Sequence, residues 1–162
     1  MTHRFARRDD LPGIVAIYNS TVPLRNITAD LEPVSVASRE AWFDAHQADR
    51  RPLWVVERDG TVAAWLSFSD YYPRAAYARS AELSIYVHDA WRGHGIGAYL
   101  LDAAISHAPN ISVDTLLGLI YAHNPRSLGL FASRRFERWG YLPGVCRVDD
   151  KDCDVVIVGR KV

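Results

Sequence analysis

The stretch "SIYVHDAWRGHGIGAYLLDAA", residues 84–104, carries Arg92 and then Gly93, Gly95 and Gly97, at the point where an apolar run ending at Val87 gives way to a helical pattern starting near Gly95. Glycines let the backbone approach an anion closely. Successive N–H groups at a helix start, with the helix dipole behind them, favour phosphate oxygens. Just upstream, Glu82 shares a strand face with Ser84 and Tyr86. A carboxylate there can take a proton from an ammonium group, directly or through water, although position alone equally suits a solvated strand glutamate.

Three phosphate-binding patterns compete for the glycine turn. A nucleoside triphosphate loop needs lysine followed by Ser or Thr after its last glycine, and the turn has neither. The dinucleotide fingerprint fits on letters, since "GHGIGA" matches G-x-G-x-x-A and Asp114 follows at about the expected distance of ~20 residues. Its context disagrees, because "HDAWR" separates the strand from the first glycine and Asp114 precedes the next strand instead of ending it. The third pattern is Arg92-x-x-Gly95-x-Gly97, a basic residue followed by alternating glycines.

The elements that must position these residues can be read along the chain. "HRFARR" predicts a first strand, and Asp9 or Asp10 caps a helix over "LPGIVAIYNSTV", with Pro12 tolerated in its first turn. A second helix is expected over "SVASREAWFDAHQADR" from Val36, Trp42, Phe43 and His46. "LWVVERDGTVAAWLSFSDYY" predicts a hairpin turning at Asp59-Gly60, and "YARSAELSIYV" a fourth strand. A third helix to about Ala108, a strand in "TLLGLIYA", a helix from "NPRSLGLFASRRF" and two closing strands complete the order. This is an α/β (layered α+β) fold: a mixed, mostly antiparallel sheet with flanking helices. Its fourth and fifth strands, joined by a helix, lie parallel.

Length and charge set outer limits. A chain of 162 residues suits one domain, residues 1–162, and 19 basic against 19 acidic side chains argue against a nucleic-acid partner. No signal-like or membrane-spanning run is present, so the expectation is a cytoplasmic protein with a small-molecule ligand and no membrane partner. Cys146 and Cys153 fall opposite each other if the chain turns at Asp149-Asp150; in a reducing compartment they are expected as free thiols.

The Arg92-x-x-Gly95-x-Gly97 turn and the order of elements resemble the GNAT acetyltransferase superfamily, whose signature is [Q/R]-x-x-G-x-[G/A] after the fourth strand. "AIYNSTV", "ITADLEP", "AAYARSAELSIYV", "HNPRSLGLF" and "FERWGYLPGV" further resemble consecutive blocks of its phosphinothricin and methionine sulfoximine acetyltransferase branch, over nearly the whole chain. The resemblance implies acetyl-CoA as donor cosubstrate and Glu82 as catalytic base. It implies that Ile85, Tyr86 and Val87 pair through backbone groups with the pantetheine arm. Arg92, Gly93, His94, Gly95, Ile96, Gly97 and Ala98 would cradle the pyrophosphate, with Asn124 and Ser127 adding coenzyme contacts. Arg74, Tyr77 and Arg79 would face the acceptor, with Tyr18, Asn19 and Thr28 closing its pocket, and a homodimer is expected.

Departures from the family pattern matter too. Phe131 stands where many members have a tyrosine that protonates the departing thiolate, and Arg134-Arg135-Phe136 replaces the usual Leu-Gly-Phe ending, so the general acid is unassigned. His88, His94 and His123 lack paired-ligand spacing, so no metal is expected, while His123 stays a secondary acid–base candidate. "RAAYAR" also reads as an ordinary exposed connection, and Arg126 as a solvated arginine. The expected function is direct acetyl transfer to the amine of a small amino-acid-like substrate. The alternatives are a non-catalytic acyl-CoA sensor, a nicotinamide dinucleotide enzyme, and an acetyltransferase acting on a protein or peptide amine.

Overall fold

A computed structural model describes residues 1–162. The elements are β1 (Arg4–Phe5), α1 (Leu11–Thr21), α2 (Glu40–Asp44), β2 (Leu53–Arg58), β3 (Thr61–Asp70), β4 (Ser80–Val87), α3 (Ile96–His107), β5 (Thr115–Tyr121), α4 (Pro125–Ala132), β6 (Glu137–Val148) and β7 (Lys151–Lys161). The strands form one seven-stranded sheet in the order β1-β2-β3-β4-β5-β7-β6, antiparallel throughout except for the β4–β5 pair.

The two faces of the sheet are covered by different helices. Leu100, Leu101 and Ala104 of α3 and Phe131 of α4 pack on Leu66, Phe68, Ala81 and Leu83 in the main core. Ile14 and Ile17 of α1, with Trp42 and Phe43 of α2, pack on Leu53, Val55 and Trp65 on the opposite face. Both tight hairpins turn on paired positive φ angles, Asp59 and Gly60 at 50° and 73° and Asp149 and Asp150 at 46° and 62°, as a two-residue I′ turn requires. Cys146 stands opposite Cys153, and both thiols are free.

Three expectations are corrected. The first strand is only Arg4–Phe5, paired with Val55 and Trp54 of β2. The Asp10 carboxylate does not cap α1. It accepts the Arg7 N–H at 2.6 Å and the Arg4 guanidinium at 2.7 Å, bracing the turn before the helix. The second helix shrinks to a 3₁₀ turn at Ala37–Arg39 and five residues of α2. Trp42 and Phe43 cover the core, His46 packs edge-on against Trp42, and past Asp44 the chain folds back so that Gln47 pairs with Arg51.

Arg51 is a buried cation with a structural task. At 3% exposure, it donates from Nε to Asp70 at 2.8 Å and from Nη2 to the carbonyls of Ala78 and Ser80 at 2.8 and 3.3 Å. The connection between β3 and β4 is thereby fastened to the sheet from beneath.

Candidate active site

β4 and β5 are in register only from Ser80 to Glu82 against Thr115 to Leu117, and beyond that level they part. From Leu83 to Val87 the β5-facing edge of β4 has no ladder partner, although its other edge stays paired to β3 up to Val87. A cleft of about 340 Å³ opens in the gap and runs to the glycine turn. Gly93 and Gly95 hold φ at 82° and 78°, a conformation costly for any residue with a Cβ. This aims the N–H groups from Gly93 to Ala98 away from the helix, and none of them finds a backbone acceptor. Such a row of free donors at a helix start is an anion cradle.

The cleft gathers most of the coenzyme set expected from sequence. Ile85, Tyr86, Val87, Arg92, Gly93, Gly95, Ile96, Gly97, Ala98, Asn124 and Ser127 line it, together with Arg126. His94 does not line it: the ring is exposed, and Nδ1 donates back to the Arg92 carbonyl at 3.0 Å. Arg92 is partly consumed by the turn itself, Nε donating to the Val87 carbonyl at 3.2 Å and Nη2 pairing with Asp89 at 2.6 Å. Asn124 caps α4 by accepting the Ser127 N–H at 3.0 Å.

Glu82 sits where the two strands part, opposite Ser69 of β3 and level with Leu117 of β5. It is half-buried, and burial alone pushes its carboxyl above the usual carboxylate range, since no partner charge offsets the lost hydration. A poised, unpaired carboxylate of this kind suits a general base.

A second cavity of about 190 Å³ lies on the same sheet face, beneath α1 and α2. Ser84 and Tyr86 line both spaces. Its other walls include Tyr18, Arg39, Trp42, Trp65, Ser67 and Ser69. Trp65 stacks on Tyr86 at 4.4 Å, and the Arg39 guanidinium lies 4.7 Å over the Tyr18 ring while donating to Asp30 at 2.8 Å. Tyr18 hydrogen-bonds through its hydroxyl to Thr28 and Asp30. Burial pushes the Tyr86 phenol upward.

Of the residues expected around the acceptor, Tyr18 lines this cavity and Thr28 is bonded to it, but the others do not converge there. Asn19 spends its amide on the Val34 backbone, at 2.8 and 2.9 Å, and so fixes the loop instead of lining the space. Arg79 pairs with Asp114 at 2.6 Å on the surface. Arg74 is exposed and lines neither cavity, and Tyr77 packs against Tyr71 and Tyr72. Held from below by Arg51, this connection points its side chains outward. Arg39, Trp65, Ser67 and Ser69 were missed. The signal available for three of them was the alternation Trp65, Ser67, Ser69 on one face of a strand otherwise apolar.

Phe131 forms an inner wall of the cleft, 4.9 Å from Phe136 and tight against Gly118, where a Cβ would come within 3.0 Å of its ring. It offers no proton. Two nearby groups do carry one: the Tyr121 hydroxyl, buried without a partner, and His123, stacked on Tyr121 and bonded through Nε2 to the Arg25 carbonyl at 3.0 Å. His88 is turned into its own loop, accepting the Ala90 N–H at 3.2 Å.

Relatives of the chain share this architecture. A Bacillus subtilis (strain 168) protein with a provisional name as a phosphinothricin acetyltransferase is 47% identical over 163 residues, covering 100% of this chain and 99% of that protein. An L-methionine sulfoximine/L-methionine sulfone acetyltransferase of Pseudomonas paraeruginosa is 36% identical over 137 residues, 84% of this chain and 80% of its own length. A Sinorhizobium meliloti GNAT superfamily phosphinothricin acetyltransferase, solved in complex with AcCoA, superposes with a TM-score of 0.93 at 26% identity, covering 99% of this chain and 88% of that one. The model of the acetyltransferase (GNAT) family matches residues 14–136, and with the divided sheet and glycine turn this places the chain in the GNAT acetyltransferase family.

Proposed function

We propose that this protein transfers acetyl from acetyl-CoA to the amine of a small amino-acid-like substrate, of the phosphinothricin or methionine sulfoximine type, by direct attack within a ternary complex. The observation that carries the reading is Glu82, which lines neither space itself but stands opposite Ser69 of the second cavity and two residues before Ser84, where that cavity and the β4–β5 cleft share a wall. The cleft takes the donor. Its pyrophosphate lies against the N–H groups from Gly93 to Ala98, and the pantetheine arm pairs with the free edge of β4 at Ile85 and Val87. The second cavity takes the acceptor.

Glu82 removes a proton from the ammonium, and the free amine attacks the thioester carbonyl. The tetrahedral intermediate then expels the thiolate, which takes a proton from water or a neighbouring hydroxyl. No covalent enzyme intermediate is required. The chain acts as one domain spanning residues 1–162 in the cytoplasm; no helix is long and apolar enough to cross a membrane. The exposed Leu119, Trp139, Tyr141 and Val145 support pairing of two copies, which sedimentation tests directly.

Thiol release from acetyl-CoA, followed across amino acids, glutamate analogues, polyamines and peptides, tests the reading. Glu82→Gln is expected to lower kcat by about 10²–10⁴-fold, the range for loss of a general base. Absence of thiol release with every amine removes the enzymatic reading. Full activity in Glu82→Gln removes only the assignment of the base.

A further inference from the structure

Beside the β4–β5 cleft lies a small apolar cluster of its own. Tyr121, Val148 and Val155 are buried together, with Leu142, Cys146 and Cys153 packed against them. The sheet explains the grouping. Tyr121 stands opposite Val155 of β7, and Cys153 lies two residues before Val155 on the same face, which makes it the diagonal neighbour of Tyr121. Cys146 faces Cys153 directly across the β6–β7 pair, just after a bulge in β6. Tyr121 is also a wall of the cleft, and its hydroxyl is sealed in without a partner. The cleft and the two thiols therefore share one buried ring.

The thiols are placed to join. Residues directly opposite in an antiparallel ladder hold their Cβ atoms about 4.5–5.5 Å apart, and a disulfide needs about 3.5–4.5 Å. The two-residue turn at Asp149 and Asp150 fixes the register, and both cysteines are only half-buried and free. Closing the pair draws β6 and β7 together locally, and in a close-packed cluster Tyr121 must move in answer. The turn carries the movement further. Asp149 accepts from Arg25 at 2.8 Å, and the Arg25 carbonyl is bonded to His123, which stacks on the Tyr121 ring. Ile27, two residues past Arg25, is another wall of the cleft.

We infer that Cys146 and Cys153 form a redox-modification site for low-molecular-weight disulfides such as oxidised glutathione, and that the bond between them weakens binding of acetyl-CoA in the neighbouring cleft. The inference rests on acetyl-CoA occupying that cleft, as proposed above. One cysteine thiolate attacks a sulfur of the small disulfide, forming a mixed disulfide and expelling one thiolate. The second cysteine thiolate then attacks the first cysteine's sulfur and expels the other. The protein pair gives up two electrons and two protons, and the small disulfide leaves as two thiols. Linkage makes the effect mutual: bound acetyl-CoA opposes formation of the bond by the same factor by which the bond weakens acetyl-CoA.

The test incubates the full chain with oxidised and reduced glutathione in varied ratio and reads the products by mass. The expected product is an intramolecular bond, seen as loss of two hydrogens with no glutathione retained and reversed by dithiothreitol. No reaction, or only a stable glutathione adduct, overturns the inference. After glutathione is removed, the Kd for acetyl-CoA is measured by calorimetry in both states. It should be higher in the oxidised form by about fivefold or more, the low end of coupling between linked sites. Saturating acetyl-CoA should also raise the oxidised glutathione needed for half-conversion by the same factor. The double variant Cys146→Ser, Cys153→Ser, taken through the same treatment, should keep the Kd of reduced wild type. Equal Kd values in the two wild-type states, a tighter oxidised state, or a like change in the variant overturns the inference. None of these readings requires turnover. A disulfide with unchanged Kd removes the inference and leaves acetyl transfer standing, whereas a shifted Kd without acetylation of any amine removes the proposed function and leaves the inference standing. No binding in either state removes both.

Discussion

The cleft between β4 and β5 grips with main chain: a run of free N–H groups from Gly93 to Ala98 and an unpaired strand edge, both produced by where glycines and strand pairing stop. The cavity beneath α1 and α2 grips with side chains drawn from α1, the 3₁₀ turn at Ala37–Arg39, α2, β3 and β4. A main-chain site depends on local conformation and tolerates changes in most surrounding side chains. A side-chain site depends on several segments keeping their places, and one substitution can redirect it. Under the proposed function, the donor end is therefore the half fixed by local main-chain conformation, and the acceptor end the half that side-chain substitutions can redirect.

The largest separation of the two halves is expected from Gly95→Val. A β-branched residue at φ 78° is strained by about 1–2 kcal/mol although no atom stands in the way of its Cβ. KM for acetyl-CoA should rise about tenfold with acceptor preference unchanged, as steady-state kinetics with both substrates varied will show. Equal damage to both KM values would mean that the halves are not independent. A smaller and opposite effect is expected from Asn19→Ala, which frees the Val34 backbone from its two bonds. A loss of about 1 kcal/mol in stability should accompany a higher KM for the acceptor, and KM for acetyl-CoA should stay put.

The smallest expected effect is in acid. His46, two residues past the end of α2, donates to the Trp42 carbonyl through Nδ1 while its Nε2 is buried without a partner, and burial holds its pKa below the ordinary 6.5. The sign follows directly. The unfolded chain binds a proton there that the folded one resists, so this contribution is complete above about pH 6.5 and is lost as pH falls through the lowered folded value. His3 and His107, similarly lowered beside Trp54 on the other face, add to the same slope. Tm measured from roughly pH 5 to 8 should fall at the acid end, and His46→Leu should flatten part of that fall.

The same contrast governs what could be read from the sequence. The Asp59-Gly60 hairpin, the Arg92–Gly97 turn and the α3 stripe of Leu100, Leu101 and Ala104 are each encoded by a few adjacent residues, and they stand where their letters imply. The acceptor cavity has no such local code. Arg39 and Ser67 come to line one cavity where the short α2 docks Trp42 edge-on against Trp65, a tertiary event that the helical spacing of Val36, Trp42, Phe43 and His46 does not announce. Arg74 and Arg79 had the right charge and the right neighbourhood, but only the Arg51 clamp and the Arg79–Asp114 pair reveal that they face outward.

The parting of β4 from β5 also bears on how the protein survives without its donor. An unpaired strand edge in the middle of a sheet invites a foreign strand, and its open hydrogen bonds are a standing cost to the free enzyme. Under the proposed function, a pantetheine chain laid along that edge would complete the ladder, and the cosubstrate would serve as a missing strand as well as a reactant. Saturation with acetyl-CoA at about 100 times its Kd would then add about 2.7 kcal/mol to folding stability, making the cellular supply of acyl-CoA a determinant of the enzyme's lifetime as well as its rate.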